Sequence, residues 1–188
     1  MKHLGTRELE TERLILRRYR VEDAEAMYRN WASDEEVTKY LTWPVHSDCS
    51  VSRGLLEEWV AQYEKDDYYQ WAIVLKENGE EPIGNIGVNV CDDKVMMAHI
   101  GYCIGRNWWH RGVTTEALQC VIDFLFDEVG MQRIESRHDP RNENSGAVMK
   151  KCGMQYEGML RKADWNNQGI CDASYYAILA EDRQRLRS

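Results

Sequence analysis

Residues 105–118, GRNWWHRGVTTEAL, constrain this chain more than any other stretch. The apolar run 95–104 comes before them and a helical pattern continues after them to Val129. Ala117, Leu118, Val121, Ile122, Leu125, Phe126 and Val129 recur at the helix period, while Gln119, Asp123, Asp127 and Glu128 face outward. Gly130 stops the helix, and residues 133–138 read as a further strand. Strand, turn, helix and strand in that order predict a right-handed crossover between two parallel strands. The turn contains Gly112, which permits tight backbone turning, and the first helical turn offers unpaired N–H groups and the positive end of a dipole. Together these make a place for an anion. Many strand-to-helix turns carry a glycine and bind nothing, so the turn by itself leaves that question open.

The other elements are arranged around this crossover. Residues 11–17 read as a first strand, behind a polar leader whose first few residues are expected to be disordered. Residues 23–31 place Ala24, Met27, Tyr28 and Trp31 at helical spacing, and Ser33 with Glu36 has the form of a capping box. Pro44 breaks the pattern, and residues 52–63 resume as a helix striped by Leu55, Leu56, Trp59, Val60 and Tyr63. Residues 69–75, 82–90 and 95–104 predict a three-stranded meander, with Gly84 and Gly87 marking a bulge, a bend or a close backbone approach. Residues 145–152 read as a short helix, and residues 154–161 and 170–179 as two last strands flanking a polar loop, ADWNNQG. The tail EDRQRLRS reads as a solvated end. The expected fold is therefore one mixed α/β domain over residues 1–188, with a central mixed sheet of about seven strands flanked by helices.

Composition narrows the function classes. A chain of 188 residues suits one core and is short for two. The formal charge of -8 argues against non-specific binding to nucleic acid or to an anionic membrane and mildly favours cationic or amine substrates. Neither a signal-peptide core nor an apolar stretch near the roughly 20 residues that span a bilayer is found, so a cytoplasmic location away from membranes is the expectation. The six cysteines are scattered without a C-x-x-C pair and read as reduced thiols, so no metal and no disulfide framework is expected. Tyr40, Trp43, Trp59, Tyr63, Tyr68 and Tyr69 either line an acceptor pocket or complete the core and a dimer contact.

Three motifs in order carry a family resemblance. HIGYCIGRNWWHRGVTTEAL, DPRNENSGAVMKKCGM and YEGMLR (residues 156–161) resemble the strand, pyrophosphate loop and helix, the N-x-x-S segment and the short E-G-x-x-R strand of the GCN5-related N-acetyltransferase (GNAT) superfamily. Within it the chain looks most like the ribosomal-protein alanine acetyltransferase branch, because LETERLILR and DASYYAIL are similar to that branch's first and last strands. The resemblance implies a GNAT-like acyl-CoA N-acyltransferase fold, acetyl-CoA as acyl donor, and no metal.

It also implies roles for particular residues. The amides of Trp109, His110, Arg111, Gly112, Val113, Thr114 and Thr115 would cradle the pyrophosphate, where the backbone argument already places an anion. His110 stands where the family has glycine, and a requirement for positive φ there would weaken binding. Arg106, Arg111 and Lys151 are candidate phosphate contacts. The strand through Ile100, Tyr102 and Ile104 would run beside the pantetheine arm, in a gap between splayed parallel strands. Asn142 would help hold that arm and Ser145 would sit near the thioester sulfur, although either residue, like Asn144, could instead cap the next helix. Met149 replaces a tyrosine common in the superfamily and cannot protonate a thiolate, which leaves Ser145 as the assistant to thiolate departure. His99 either contacts the incoming amine or a water relay, or is a packed, hydrogen-bonded histidine. Glu116 reads as an anchor for the loop rather than a base.

The implied reaction is direct attack of a neutral amine on the acetyl-CoA carbonyl. With no obvious strong base, an α-amine, of reference pKa near 8, fits better than a lysine near 10.4. A peptide or protein N-terminus is therefore the expected acceptor. A small amine such as a polyamine, amino acid or aminoglycoside is the alternative, and an inactive acyl-CoA-binding module is a further one. A homodimer is compatible with the sequence.

Overall fold

The expected crossover organises the fold. In the computed structural model, which describes residues 1–187, β5 (Met97–Ile104) and β6 (Arg133–His138) lie parallel and are joined through α4 (Val113–Phe124), which continues as a π-type turn over Leu125–Val129. Every other neighbouring pair of strands is antiparallel. With β1 (Leu9–Glu10), β2 (Leu14–Arg17), β3 (Gln70–Leu75), β4 (Pro82–Asp92), β7 (Gln155–Asn166) and β8 (Gly169–Leu179), the sheet runs β1-β2-β3-β4-β5-β6-β8-β7. It has eight strands rather than about seven, because the two-residue β1 precedes the first expected strand, which itself begins at Leu14 rather than residue 11.

Alternation along the strands sends apolar side chains to both faces. One face packs against α4, burying Leu14, Leu16, Ile73, Ile86, Ala98 and Ile100 against Leu118, Val121, Ile122 and Leu125. Trp71 meets Phe124 edge-on there at 5.9 Å. The other face is covered by α1 (Ala24–Met27), its π-type extension Tyr28–Ala32, and α3 (Cys49–Gln62), with Tyr19, Met27, Trp31, Leu56, Tyr63 and Cys103 in a second cluster. Close backbone approach is the reason for Gly84, since a Cβ there would run into the Cys103 carbonyl on β5.

Several local expectations change. Ser33 does not cap α2 (Glu35–Thr38); Asp34 does, its carboxylate accepting from Glu36 N at 3.0 Å. The leader is tied down: Lys2 N donates to Val129 O, Gly5 N to Asp66 O, and Thr6 Oγ1 to Tyr68 O. The polar stretch ADWNNQG is mostly strand, since β7 runs to Asn166 and pairs Trp165 with Ile170 and Asn166 with Gly169 across a short turn. The tail forms α6 (Ala180–Arg187), and buried Arg183 meets Asp123 and Asp127 at 2.6 Å each. Among the described residues no helix is long and apolar enough to cross a membrane.

Candidate active site

The loop between β5 and α4 is held in an unusual conformation. Trp109 Nε1 donates to Ile104 O at 2.9 Å, and Arg13 Nη1 donates to Arg111 O at 3.0 Å. Between these ties His110 takes φ 59° and Gly112 φ 74°. Left-handed backbone suits glycine but costs a residue with a Cβ about 1–2 kcal/mol, so His110 is strained and its surroundings fix it. The positive φ foreseen as a difficulty at 110 is therefore present. Gly112 is the N-cap of α4 and no side chain caps the helix, which leaves its first-turn N–H groups available to an external acceptor. Glu116, the nearest carboxylate, is engaged elsewhere. It accepts from Thr11 Oγ1 at 2.5 Å and from Arg13 N at 3.1 Å, and pairs with Arg13 Nη2 at 2.6 Å. Burial raises its pKa, but these donors outweigh burial and hold it below the usual carboxylate range. Glu116 is an anchor for the loop.

Past the loop, the parallel pair opens. Only Met97, Ala98 and His99 pair with β6; beyond them Ser136 Oγ reaches across to Ile100 O at 2.8 Å, and the strands diverge. α5 (Glu143–Lys151) starts at the mouth of this gap. Asn142 occupies its N-cap position without making a side-chain cap bond, so the capping alternative does not hold for it. Tyr102 projects from β5 and its hydroxyl donates to Ser145 O at 3.0 Å, with Ser145 Oγ 3.2 Å from the same phenolic oxygen. Burial pushes the Tyr102 phenol well above its ordinary pKa, so it stays protonated.

These groups line a cleft of about 540 Å³ between two walls. One wall is α4's first turn with residues 141–151; the other carries Glu36, Val37, Lys39, Tyr40 and Leu41. The turn between β7 and β8 holds both. Asn167 N donates to Leu41 O at 3.1 Å, and Asn167 Nδ2 to Thr38 O and Trp43 O at 2.8 Å each. The preceding residue, Asn166, donates to Asp139 Oδ2 at 2.8 Å, and Asp139 in turn holds Arg141 at 2.6 Å. The Arg141 guanidinium, against the pull of burial, keeps the Asp139 carboxyl far below the usual carboxylate range.

The expected site residues divide by position. Tyr102, Ile104, Trp109, His110, Gly112, Val113, Thr114, Thr115, Asn142, Ser145 and Lys151 line the cleft together. Ile100 does not: its side chain is in the core and its carbonyl is taken by Ser136. Arg111 is exposed outside the lining, and Arg106 pairs with Asp34 at 2.9 Å. His99 also lies off the cleft wall, 6% exposed, with Nδ1 3.2 Å from Glu135 Oε1. Desolvation lowers its pKa despite Glu135, so the ring is a packed, neutral histidine near pH 7. Of the six aromatics weighed for an acceptor pocket, Tyr40 reaches the cleft; Trp43, Trp59, Tyr63 and Tyr68 pack in or against the second cluster and Tyr69 in the main core. Trp108 and Arg141 also line the cleft; both lie within the motif stretches, but neither stands out there as a site residue.

Comparison with known proteins agrees with this geometry. Residues 13–155 match the family model described as an acetyltransferase (GNAT) domain. The chain is 33% identical to the uncharacterized N-acetyltransferase p20 of Bacillus licheniformis over 174 residues, 93% of this chain and 97% of that protein. It is 29% identical to the ribosomal protein uS5-alanine N-acetyltransferase of Escherichia coli over 73 residues, 39% of this chain and 38% of that protein. The crystal structure of a GNAT-family acetyltransferase from Bacillus anthracis superposes with a TM-score of 0.81 at 26% identity, covering 93% of this chain and 99% of that one. An uncapped helix start beside a splayed parallel pair, in a chain matched over most of its length, has one reading: this protein belongs to the GNAT acetyltransferase family.

Proposed function

We propose that the protein transfers acetyl from acetyl-CoA to the α-amine of a peptide or protein N-terminus. The observation that carries this reading is that four carboxylates near the gap are committed to ion pairs. Glu116 is paired with Arg13, Glu135 with Arg133, Asp139 with Arg141 and Asp164 with Arg137. Each is held below the usual carboxylate range: burial pushes it up, and the cationic partner together with the other hydrogen-bond donors outweighs burial. None is the elevated carboxylate that would take a proton from a lysine ammonium near 10.4, whereas an α-amine near 8 has a sizeable neutral fraction unaided.

In the proposed reaction the neutral amine forms the new C–N bond as the C–S bond breaks, and the nitrogen's extra proton leaves to water. The Ser145 hydroxyl donates a hydrogen bond to the departing sulfur, with Tyr102 orienting it, and the thiolate takes its proton from solvent. First-turn amides of α4 hold the pyrophosphate, with Lys151 at the rim. His99, behind Glu135, takes no part. The partial likeness to the uS5-alanine enzyme supports an N-terminal acceptor.

The test is a peptide bearing one free α-amine and one lysine, incubated with acetyl-CoA at neutral pH and read by fragmentation mass spectrometry. Acetylation at the α-amine, at least tenfold ahead of the lysine, is expected. Preferential lysine modification would overturn the proposal.

A further inference from the structure

At the end of β5 remote from the cleft, three donor atoms of different chemistry converge. His3 Nε2, from the leader, lies 3.1 Å from Asp93 Oδ1, and Cys91 Sγ lies 3.7 Å from the same oxygen. All three fall within 4.8 Å of one another. A tetrahedral zinc ion with bonds of about 2.0 Å to nitrogen and oxygen and about 2.3 Å to sulfur would set nitrogen–oxygen and sulfur–oxygen edges of about 3.3 and 3.5 Å. Two observed edges lie close to those values, and the third, between His3 Nε2 and Cys91 Sγ, is within 4.8 Å and closes by about 1 Å through rotation of the half-buried Cys91 side chain.

The surroundings favour a cation independently of these distances. The other nitrogen of His3, Nδ1, is 2.9 Å from Tyr69 OH, whose oxygen also accepts from Leu4 N at 3.3 Å. That outer contact orients the ring and presents Nε2 to the cluster, as hydrogen bonds to the far nitrogen do for metal-binding histidines.

We propose that His3, Cys91 and Asp93 form a binding site for a zinc-class divalent cation that clips the leader to the hairpin between β4 and β5. Imidazole and thiolate together select zinc over magnesium or calcium. Water completes the coordination, and the thiol proton is released to solvent as the sulfur binds. Sequence reading does not find such a site because His3 and Cys91 are far apart in the chain and neither sits in a ligand-spacing motif.

The experiment titrates the metal-stripped full-length protein with cobalt(II) and then zinc(II). One equivalent of cobalt should produce a sulfur-to-cobalt charge-transfer band in the near ultraviolet, which zinc then abolishes. Saturating zinc should raise the thermal unfolding midpoint by about 5 °C. Cys91→Ser should remove the band and the zinc shift, while Cys49→Ser keeps both. His3→Ala, outside any strand, should weaken cobalt binding at least tenfold while the variant still unfolds cooperatively without metal. A missing band, a band that survives Cys91→Ser, or undiminished binding in His3→Ala would each overturn the proposal.

Discussion

Ser145 and Tyr102 come together because β5 and α5 meet where the parallel pair opens, so a phenol from a strand supports a hydroxyl from a helix. If Ser145 steadies the departing sulfur, Ser145→Ala should lower kcat by about 10- to 100-fold. The dissociation constant for acetyl-CoA, measured by calorimetry, should change less than about twofold, because the helix-start amides remain. Unchanged turnover would remove Ser145 from the mechanism. The N-x-x-S pattern made Ser145 findable from sequence, whereas its partner could not be identified that way. Tyr102 is 43 residues away, and only the divergence of β5 from β6 brings the two together. His99 shows the opposite case. A histidine beside an acetyl-transfer gap invites a catalytic role, but its ring is packed against Glu135 and lies outside the cleft lining.

Among the elements, the turn between β7 and β8 has the broadest reach. Asn167 makes three hydrogen bonds to carbonyls of the 38–43 segment, and Asn166 ties the Asp139–Arg141 corner, so adjacent asparagines hold opposite walls of one cleft. Asn167→Ala removes two side-chain bonds, worth about 1 kcal/mol each, and frees the wall bearing Tyr40 and Leu41. KM for the acceptor is expected to rise about tenfold while acetyl-CoA affinity holds; an equal loss of affinity for both would mean the turn supports the fold in general. From sequence this stretch reads as a loop because its residues are polar. Cross-strand partners make it strand instead: Asp164, Trp165 and Asn166 face Cys171, Ile170 and Gly169, and pairing overrides composition. The Asp34 cap is a smaller instance, since Ser33, Asp34 and Glu36 offer two overlapping capping patterns and only backbone geometry selects between them.

Over the whole molecule, the crossover and its uncapped helix start are written in residues 95–138, because periodicity and chain order alone require a parallel pair with a helix across it. The sheet order is less legible, since β8 inserts between β6 and β7 by long-range pairing that no local pattern records. The ends were misjudged for the same reason. Lys2 and Arg183 look like solvated polar termini, yet one meets Val129 at the end of the α4 segment and the other the acidic face of the same helix. In the proposed function, the cleft takes an acyl donor at one wall and an amine at the other. The most direct measurement incubates the purified protein with acetyl-CoA and a panel of free N-terminal peptides, N-terminally blocked peptides and small amines, following free thiol and product mass together. Thiol release matched one-for-one by acetylated free-N-terminus peptide is predicted; saturable acetyl-CoA binding with no acetylated product from any acceptor would contradict it.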